Sequence, residues 1–474
     1  MSLLVKLIFI ISFISFTPIP NLYALADAQT GNDSLAIDMQ TATVHHPLPD
    51  PLIVIPFVIL LLMIATGPVF YKHFWEHHYP KVAIILGLIT VLYYLFVLRD
   101  SHSLLHTLTE YLSFIAILSS LFVASGGILI KVNKKATPLL NIGILLFGAL
   151  ISNVIGTTGA SMLLIRPYIK VNQDRISAYH IIFFIFIVSN IGGSLTPIGD
   201  PPLFLGFLRG VPFFWVIGAV WFIWLPALVL LLLIFYFIDS RNKTQGVESK
   251  VYSGKIEFKG LKNLVYLAII LISVFLDPSI FSWVPNLYPL PFGIREIIMF
   301  AVVFIAYKLA DKEVLKANEF DFEPIKEVAY LFVGIFATMI PALQLISNQA
   351  RMMGEKLNEG IFYWATGILS AFLDNAPTYL NFLSASMGKY GLDVKNSAHV
   401  MQFTYNYGSY LTAISVAAVF FGATTYIGNG PNFMVKAISE RAGISMPSFF
   451  VYLIKYAVPI LLPIFILVWL VFFS

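Results

Sequence analysis

Residues 189–203 read Ser-Asn-Ile-Gly-Gly-Ser-Leu-Thr-Pro-Ile-Gly-Asp-Pro-Pro-Leu, inside an otherwise apolar run. Three glycines, three prolines and Asp200 do not suit a regular helix interior. Glycine is conformationally loose there, and proline removes a donor and clashes with the preceding turn. In hydrocarbon the cost rises, because a freed N–H or C=O has no water to turn to. Such a stretch persists at membrane depth only where it is buried in protein or lines a cavity. With a carboxylate on it, it has the character of a transporter's ion site.

The chain repeats the pattern. Thr196-Pro-Ile-Gly-Asp-Pro-Pro202 returns as Thr425-Tyr-Ile-Gly-Asn-Gly-Pro431, 229 positions later (425 − 196). Each copy is preceded by another polar, helix-breaking patch. The first is Ser152-Asn153-Val-Ile-Gly156-Thr157-Thr158-Gly159 and the second is Asp374-Asn375-Ala-Pro377-Thr378. Asn153 and Asn375 stand 222 apart (375 − 153), so they read as equivalent positions. An isolated Gly-Pro break is more often a simple kink, but two paired breaks in the same order point to an internal duplication.

Composition sets the environment. The chain is 58% hydrophobic and 11% charged, against roughly a quarter charged for a soluble domain, so it reads as a polytopic membrane protein. A net charge of +4 gives no reason to expect a nucleic-acid partner; membrane lipid and small ions are the expected contacts. The absence of cysteine excludes disulfides, thiolate metal sites and a cysteine nucleophile. Lys6, an apolar stretch over residues 7–16 and Ala24-Leu25-Ala26 read as a cleavable secretory signal over residues 1–26, with an uncleaved first helix as the alternative. Residues 27–50, with His45 and His46, then form a polar outer tail.

A crossing takes about 20 apolar residues. Crossings are expected near 52–70, 80–98 and 108–130, and the basic loops 71–81 and 131–135 fall inside by the positive-inside rule. Residues 138–165 have basic sequence on both flanks. They read as a re-entrant hairpin entering from inside, its tip at 152–159. A broken helix follows over 177–209, interrupted at 196–202, and then a span over 212–237. These complete a first half, residues 51–237, joined by a cytoplasmic linker, 238–262, to a second half, 263–474. The second half begins with spans at 263–276, 293–310 and 328–347. It continues with an outer-side hairpin, 361–388, a second broken helix, 398–440, interrupted at 424–432, and a final span, 449–473. The expected fold is therefore all-α and polytopic, made of two inverted repeats.

Half-helix ends at such breaks present dipoles to the core, and Asn and Thr add neutral oxygens suited to a hard cation. One cluster is expected from Asn153, Thr157, Thr158, Gly199 and Asp200, the other from Asp374, Asn375, Thr378, Thr425 and Asn429. A buried aspartate in low dielectric is neutralised by a proton or by a cation, so sodium and protons would compete at Asp200 and Asp374. Either aspartate could instead cap the helix that follows it. No lysine or arginine lies in the breaks to clamp an anion; Arg166 and Arg209 lie closer to the interfaces. Glu110, at the start of a span, reads as interfacial. His73, His77 and His78 beside Trp75 read as a headgroup belt.

Residues 152–167, 189–203 and Phe372-Leu-Asp-Asn-Ala-Pro-Thr378, with His73-Phe-Trp-Glu-His-His78, resemble the NhaD-type sodium/proton antiporters. These belong to an ion transporter superfamily that includes citrate, dicarboxylate and arsenite carriers. The resemblance covers the chain from about residue 45 to its end. It implies a homodimer in a bacterial inner membrane, with a scaffold and a moving transport domain. It also implies exchange of sodium, or lithium, for protons, with no cofactor and no catalytic residue. Dicarboxylate carriers of the superfamily have Ser-Asn-Thr at both tips. Here Asn153 and Asn375 match the asparagines, Asp374 stands where the second serine would be, and Val154 and Ala376 replace the threonines. A sodium-coupled citrate or dicarboxylate symporter is the alternative. An intramembrane aspartyl protease is a more remote one: Pro341-Ala-Leu343 fits it, but Pro197 stands where its Gly-x-Gly-Asp motif needs glycine. A pure channel fits closed midplane sites poorly.

Overall fold

The computed structural model describes residues 48–242, 254–278 and 280–474. The expected signal segment, most of the polar tail including His45 and His46, and residues 243–253 of the linker lie outside the described residues. Among the described residues eight helices are long and apolar enough to cross a membrane, and the molecule is a multi-pass, almost wholly helical protein.

The first half opens with α1 (Ile55–Phe70), α2 (Lys72–Leu92, continuing in a wider helical turn to Leu98) and α3 (Ser101–Gly126). The expected loop over 71–81 is instead helical from Lys72 onward. Lys72 pairs with Glu76 one turn away at 3.6 Å, and Nδ1 of His77 and His78 meets the carbonyls of His73 and Phe74. The stretch 99–107, between the crossings expected near 80–98 and 108–130, is likewise mostly helix, because the Asp100 carboxylate accepts from Ser103 N at 2.9 Å and caps α3. Strand β1 (Leu129–Val132) was not expected. It pairs antiparallel with β2 (Ile256–Lys259), so the 131–135 loop and the end of the linker lie together.

α4 (Pro138–Val171) reverses direction at Gly156, whose φ of 75° and ψ of 155° suit glycine alone. Asn141 and Asn172, 31 residues apart, exchange side-chain hydrogen bonds of 2.9 and 2.7 Å, so the two arms lie side by side. α5 (Ala178–Ile187) follows. Its helix ends earlier than expected, giving way to a short turn at Ile191–Leu195 and extended backbone at Thr196. α6 (Pro201–Arg209) restarts at the double proline. α7 (Phe213–Ser240) runs a turn into the expected linker.

The second half contains α8 (Asn263–Val274), α9 (Ile294–Lys308), a short α10 (Lys312–Ala317) and α11 (Glu323–Met353). α12 (Glu359–Phe372) and α13 (Asn375–Lys389) are separated by extended Leu373 and by Asp374. They double back, since Lys389 Nζ donates to the Leu357 carbonyl at 2.8 Å. The arm expected from 398 is divided in two, α14 (Ser397–Asn406) and α15 (Gly408–Gly422). Between them Tyr407 leaves helical geometry and stacks on Tyr390 with ring centroids 3.6 Å apart. α16 (Gly430–Arg441) and α17 (Phe449–Phe472) complete the chain.

Burial marks the centre. In most long helices one face is exposed and apolar, as lipid contact requires, for example Ile85, Leu88 and Leu92 of α2. α5 and α15 are instead buried all round from His180 to Ile187 and from Tyr410 to Gly422. These two helices lead into the two breaks.

Candidate functional site

Asp200 is 1% exposed and stands at the N-cap position of α6, yet its carboxylate does not cap that helix. Pro201 and Pro202 carry no N–H, and Leu203 N donates to the Asp200 main-chain carbonyl at 3.1 Å. The carboxylate is left to groups from three other elements. Thr157 Oγ1 from the tip of α4 donates to Oδ1 at 2.7 Å. Asn429 Nδ2 from the second break donates to Oδ1 at 2.9 Å. Asn375 Nδ2 from the tip of the α12–α13 hairpin donates to Oδ2 at 2.6 Å. The two expected clusters thus meet as one junction.

Other expected residues build its walls. Asn153 Nδ2 donates to the carbonyls of Ala149 and Gly192, and its Oδ1 accepts from Leu195 N at 2.8 Å, fixing the first tip to the first break. Thr157 N donates to the Gly199 carbonyl at 2.8 Å. Thr425 Oγ1 donates to the Ala371 carbonyl at 2.6 Å and accepts from Gly428 N. Thr158 lines a narrow cavity with Gly156 and Gly199, and Thr378 bonds back to the Asp374 carbonyl. Asp374 is partly buried and caps α13 by accepting from Ala376 N at 3.0 Å, with no hydrogen bond to Asp200. Among the described residues no three His, Cys, Asp or Glu side chains gather as a metal-binding group.

The two halves use matched contacts. Thr196 Oγ1 donates to the Asn153 carbonyl and Thr425 Oγ1 to the Ala371 carbonyl, both at 2.6 Å. Ser152 Oγ donates to the Val188 carbonyl at 2.9 Å, and Ser370 Oγ to the Ala418 carbonyl at 2.6 Å. A Cβ on Gly199 would lie 2.0 Å from the Gly193 carbonyl oxygen; one on Gly428 would lie 2.7 Å from that of Gly422. These contacts pair residues differently from the 222-residue spacing of Asn153 and Asn375. Ser152 and Asn153 match Ser370 and Ala371, so Asn375 answers to Thr157, and each of those two donates to Asp200.

Two contributors were missed. Asn190 Nδ2 donates to Asn432 Oδ1 at 2.7 Å, and Asn190 Oδ1 accepts from Asn429. Asn432 Nδ2 in turn holds the carbonyls of Gly422 and Thr425. Both asparagines stand inside the quoted breaks or one residue beyond, where the sequence signal was already present. Glu110, read from sequence as a residue at the start of a span, is buried and ion-paired with Arg209. The two come from separate elements whose opposite charges meet out of water.

Residues 47–473 match a protein family described as “Putative citrate transport”. The chain belongs to that family. Membership agrees with a multi-pass transporter in the ion transporter superfamily and with the helices that enclose the junction. No curated protein matches the chain.

Proposed function

We propose that this family member exchanges sodium, or lithium, for protons by alternating access in a bacterial inner membrane. The carrying observation is Asp200, a buried carboxylate whose three side-chain partners, Thr157, Asn375 and Asn429, are all neutral. A citrate or dicarboxylate placed here would meet a like charge, with no lysine or arginine among these partners to offset it. A cation meets the opposite sign. An ionised carboxylate offers about four lone-pair sites, and three donors leave one for a cation. Asn375 Oδ1, on the amide that donates to Asp200, is buried without a partner and offers a neutral oxygen beside the carboxylate. A proton on Asp200 would remove the charge that holds the cation, so one group serves both ions in turn. Asp374, next to Asn375, contributes a second negative charge from its capping position.

The matched contacts of the two halves support an internal duplication, and the ends of the hairpins support its inversion. The base of α4 meets Asp239 near β1 and β2. There Asn141 donates to it at 2.9 Å and Arg175 pairs with it at 2.8 Å. The base of the α12–α13 hairpin lies by Lys395, which reaches Ser103 at the other end of α3. The hairpins are then re-entrant from opposite sides, with their tips meeting at Asp200. We extend the reading to a homodimer with an elevator-type movement.

The family description names citrate, so sodium-coupled citrate symport is the other reading. Everted vesicles from an antiporter-deficient host separate the two. With a respiration-driven pH gradient followed by a dye, sodium or lithium alone should collapse the gradient. No response to either ion, together with sodium-dependent uptake of labelled citrate, would replace antiport by symport.

A further inference from the structure

We infer that the Glu110–Arg209 ion pair is a latch that must open and re-form in each transport cycle; this rests on the transporter reading above. Arg209 and Asp200 stand at opposite ends of α6, a nine-residue rod about 13 Å long. The rod is bounded by extended backbone at Thr196 and Asp200 on one side and by Gly210, at φ 113°, on the other. Any displacement of the ion-binding end is therefore transmitted to Arg209. Its guanidinium is held against α3: Nη2 donates to Glu110 Oε2 at 2.7 Å, and Nε lies against Oε1. Both residues are buried, and Arg209 Nη1 has no hydrogen-bond partner.

A contact serving only to hold the fold would not need this chemistry. Two well-packed apolar side chains hold helices as well as a buried ion pair does, and a half-satisfied guanidinium is a poor static cement. A second tie runs the same way. α13 begins at the junction with Asn375, and beyond its end Lys395 Nζ donates to Ser103 Oγ at 2.8 Å, which donates to the Asp100 carboxylate at 2.5 Å. The chain just beyond α6 touches the start of α14, since a Cβ on Gly210 would lie 2.9 Å from Ser397 Cβ. The end of α6 and the loop that follows α13 thus both lie on one polar stripe of α3 formed by Asp100, Ser103, His106 and Glu110. His106 Nδ1 lies 3.8 Å from Glu110 Oε2 and completes that stripe. Moving the site relative to α3 requires these charges to part. Glu110 and Arg209 are positioning residues, since neither touches Asp200.

The natural absence of cysteine makes the test direct. Glu110 and Arg209 are replaced together by cysteine and bridged in membranes with a short, thiol-cleavable bifunctional reagent. The bridged protein should lose at least about tenfold of its exchange rate and regain it on cleavage, while sodium binding to the purified protein persists. Exchange at the unbridged rate would overturn the latch. In parallel, Glu110→Gln should lower the maximal rate about tenfold with the sodium KM changed less than about twofold. The charge swap Glu110→Arg with Arg209→Glu should recover activity that Arg209→Glu alone lacks. An unchanged rate in Glu110→Gln, or an effect confined to KM, would overturn the latch even if the cysteine pair failed to fold. The unmodified chain is assayed beside the variants for sodium–proton exchange and for citrate uptake. Loss of both there would sink the transporter reading itself; citrate uptake alone would change the substrate and leave the latch under test.

Discussion

The first break ends in Asp200 and the second in Asn429, each directly before a helix that carries proline in its first two positions. Both stand at N-cap positions, neither caps its own helix, and each faces the other across 2.9 Å. The tips differ in the complementary way: the first offers Thr157, while the second offers Asn375 and puts its aspartate, Asp374, into a cap. Similar contacts on the two sides therefore give a junction with one central carboxylate, not two. Which carboxylate faces such a junction is set by which residue escapes capping. A double proline frees Asp200, whereas Ala376 N holds Asp374.

The comparison can be broken most severely at its centre. Asp200→Asn should reduce exchange by at least about a hundredfold, as expected for loss of the group that both ions share. Adding Asn429→Asp returns a carboxylate to the opposite side of the same junction. Flux in vesicles should then recover in part, with altered choice between sodium and lithium. Glycine packing comes next. Gly199→Ala should destabilise by about 3 kcal/mol or more and Gly428→Ala by less, because their Cβ atoms would approach carbonyl oxygens to 2.0 and 2.7 Å. Thermal melting in detergent checks the order. Thr157→Val and Asn375→Ala each remove one donor to a charged group, worth about 1.5–3 kcal/mol. Each should weaken sodium binding by roughly 10- to 150-fold, read by titration of the purified protein. Asp374→Asn should have the smallest effect, less than about tenfold on flux, since asparagine caps a helix as well as aspartate does and only the distant charge is lost. A loss equal to that of Asp200→Asn would make the two halves electrostatically equivalent and sink the asymmetry.

Much of this could be read from residue order. The apolar runs, the paired breaks and the identity of Asp200, Asn375, Asn429 and Thr157 come from composition and repetition, because glycine, proline and aspartate are costly in hydrocarbon. Pairing across the molecule could not be read. The spacing of Asn153 and Asn375 suggests equivalence, whereas the hydrogen bonds of Ser152 and Ser370 pair a different set of positions. The helix from Lys72 was hidden because charged residues there look like a loop while forming ordinary one-turn pairs. β1 was hidden because its partner lies more than a hundred residues away. The ion pair of Glu110 is not legible in the sequence because Arg209 is remote in sequence and adjacent in space.

Direct binding to the purified protein is the closest test of the shared carboxylate. Sodium added in weak buffer without any carboxylic acid should bind and release protons. Apparent affinity should fall as pH falls, by up to about tenfold per unit for each competing proton, and Asp200→Asn should abolish both binding and release. Sodium binding with no proton release, unchanged in Asp200→Asn or dependent on added citrate, would contradict the account.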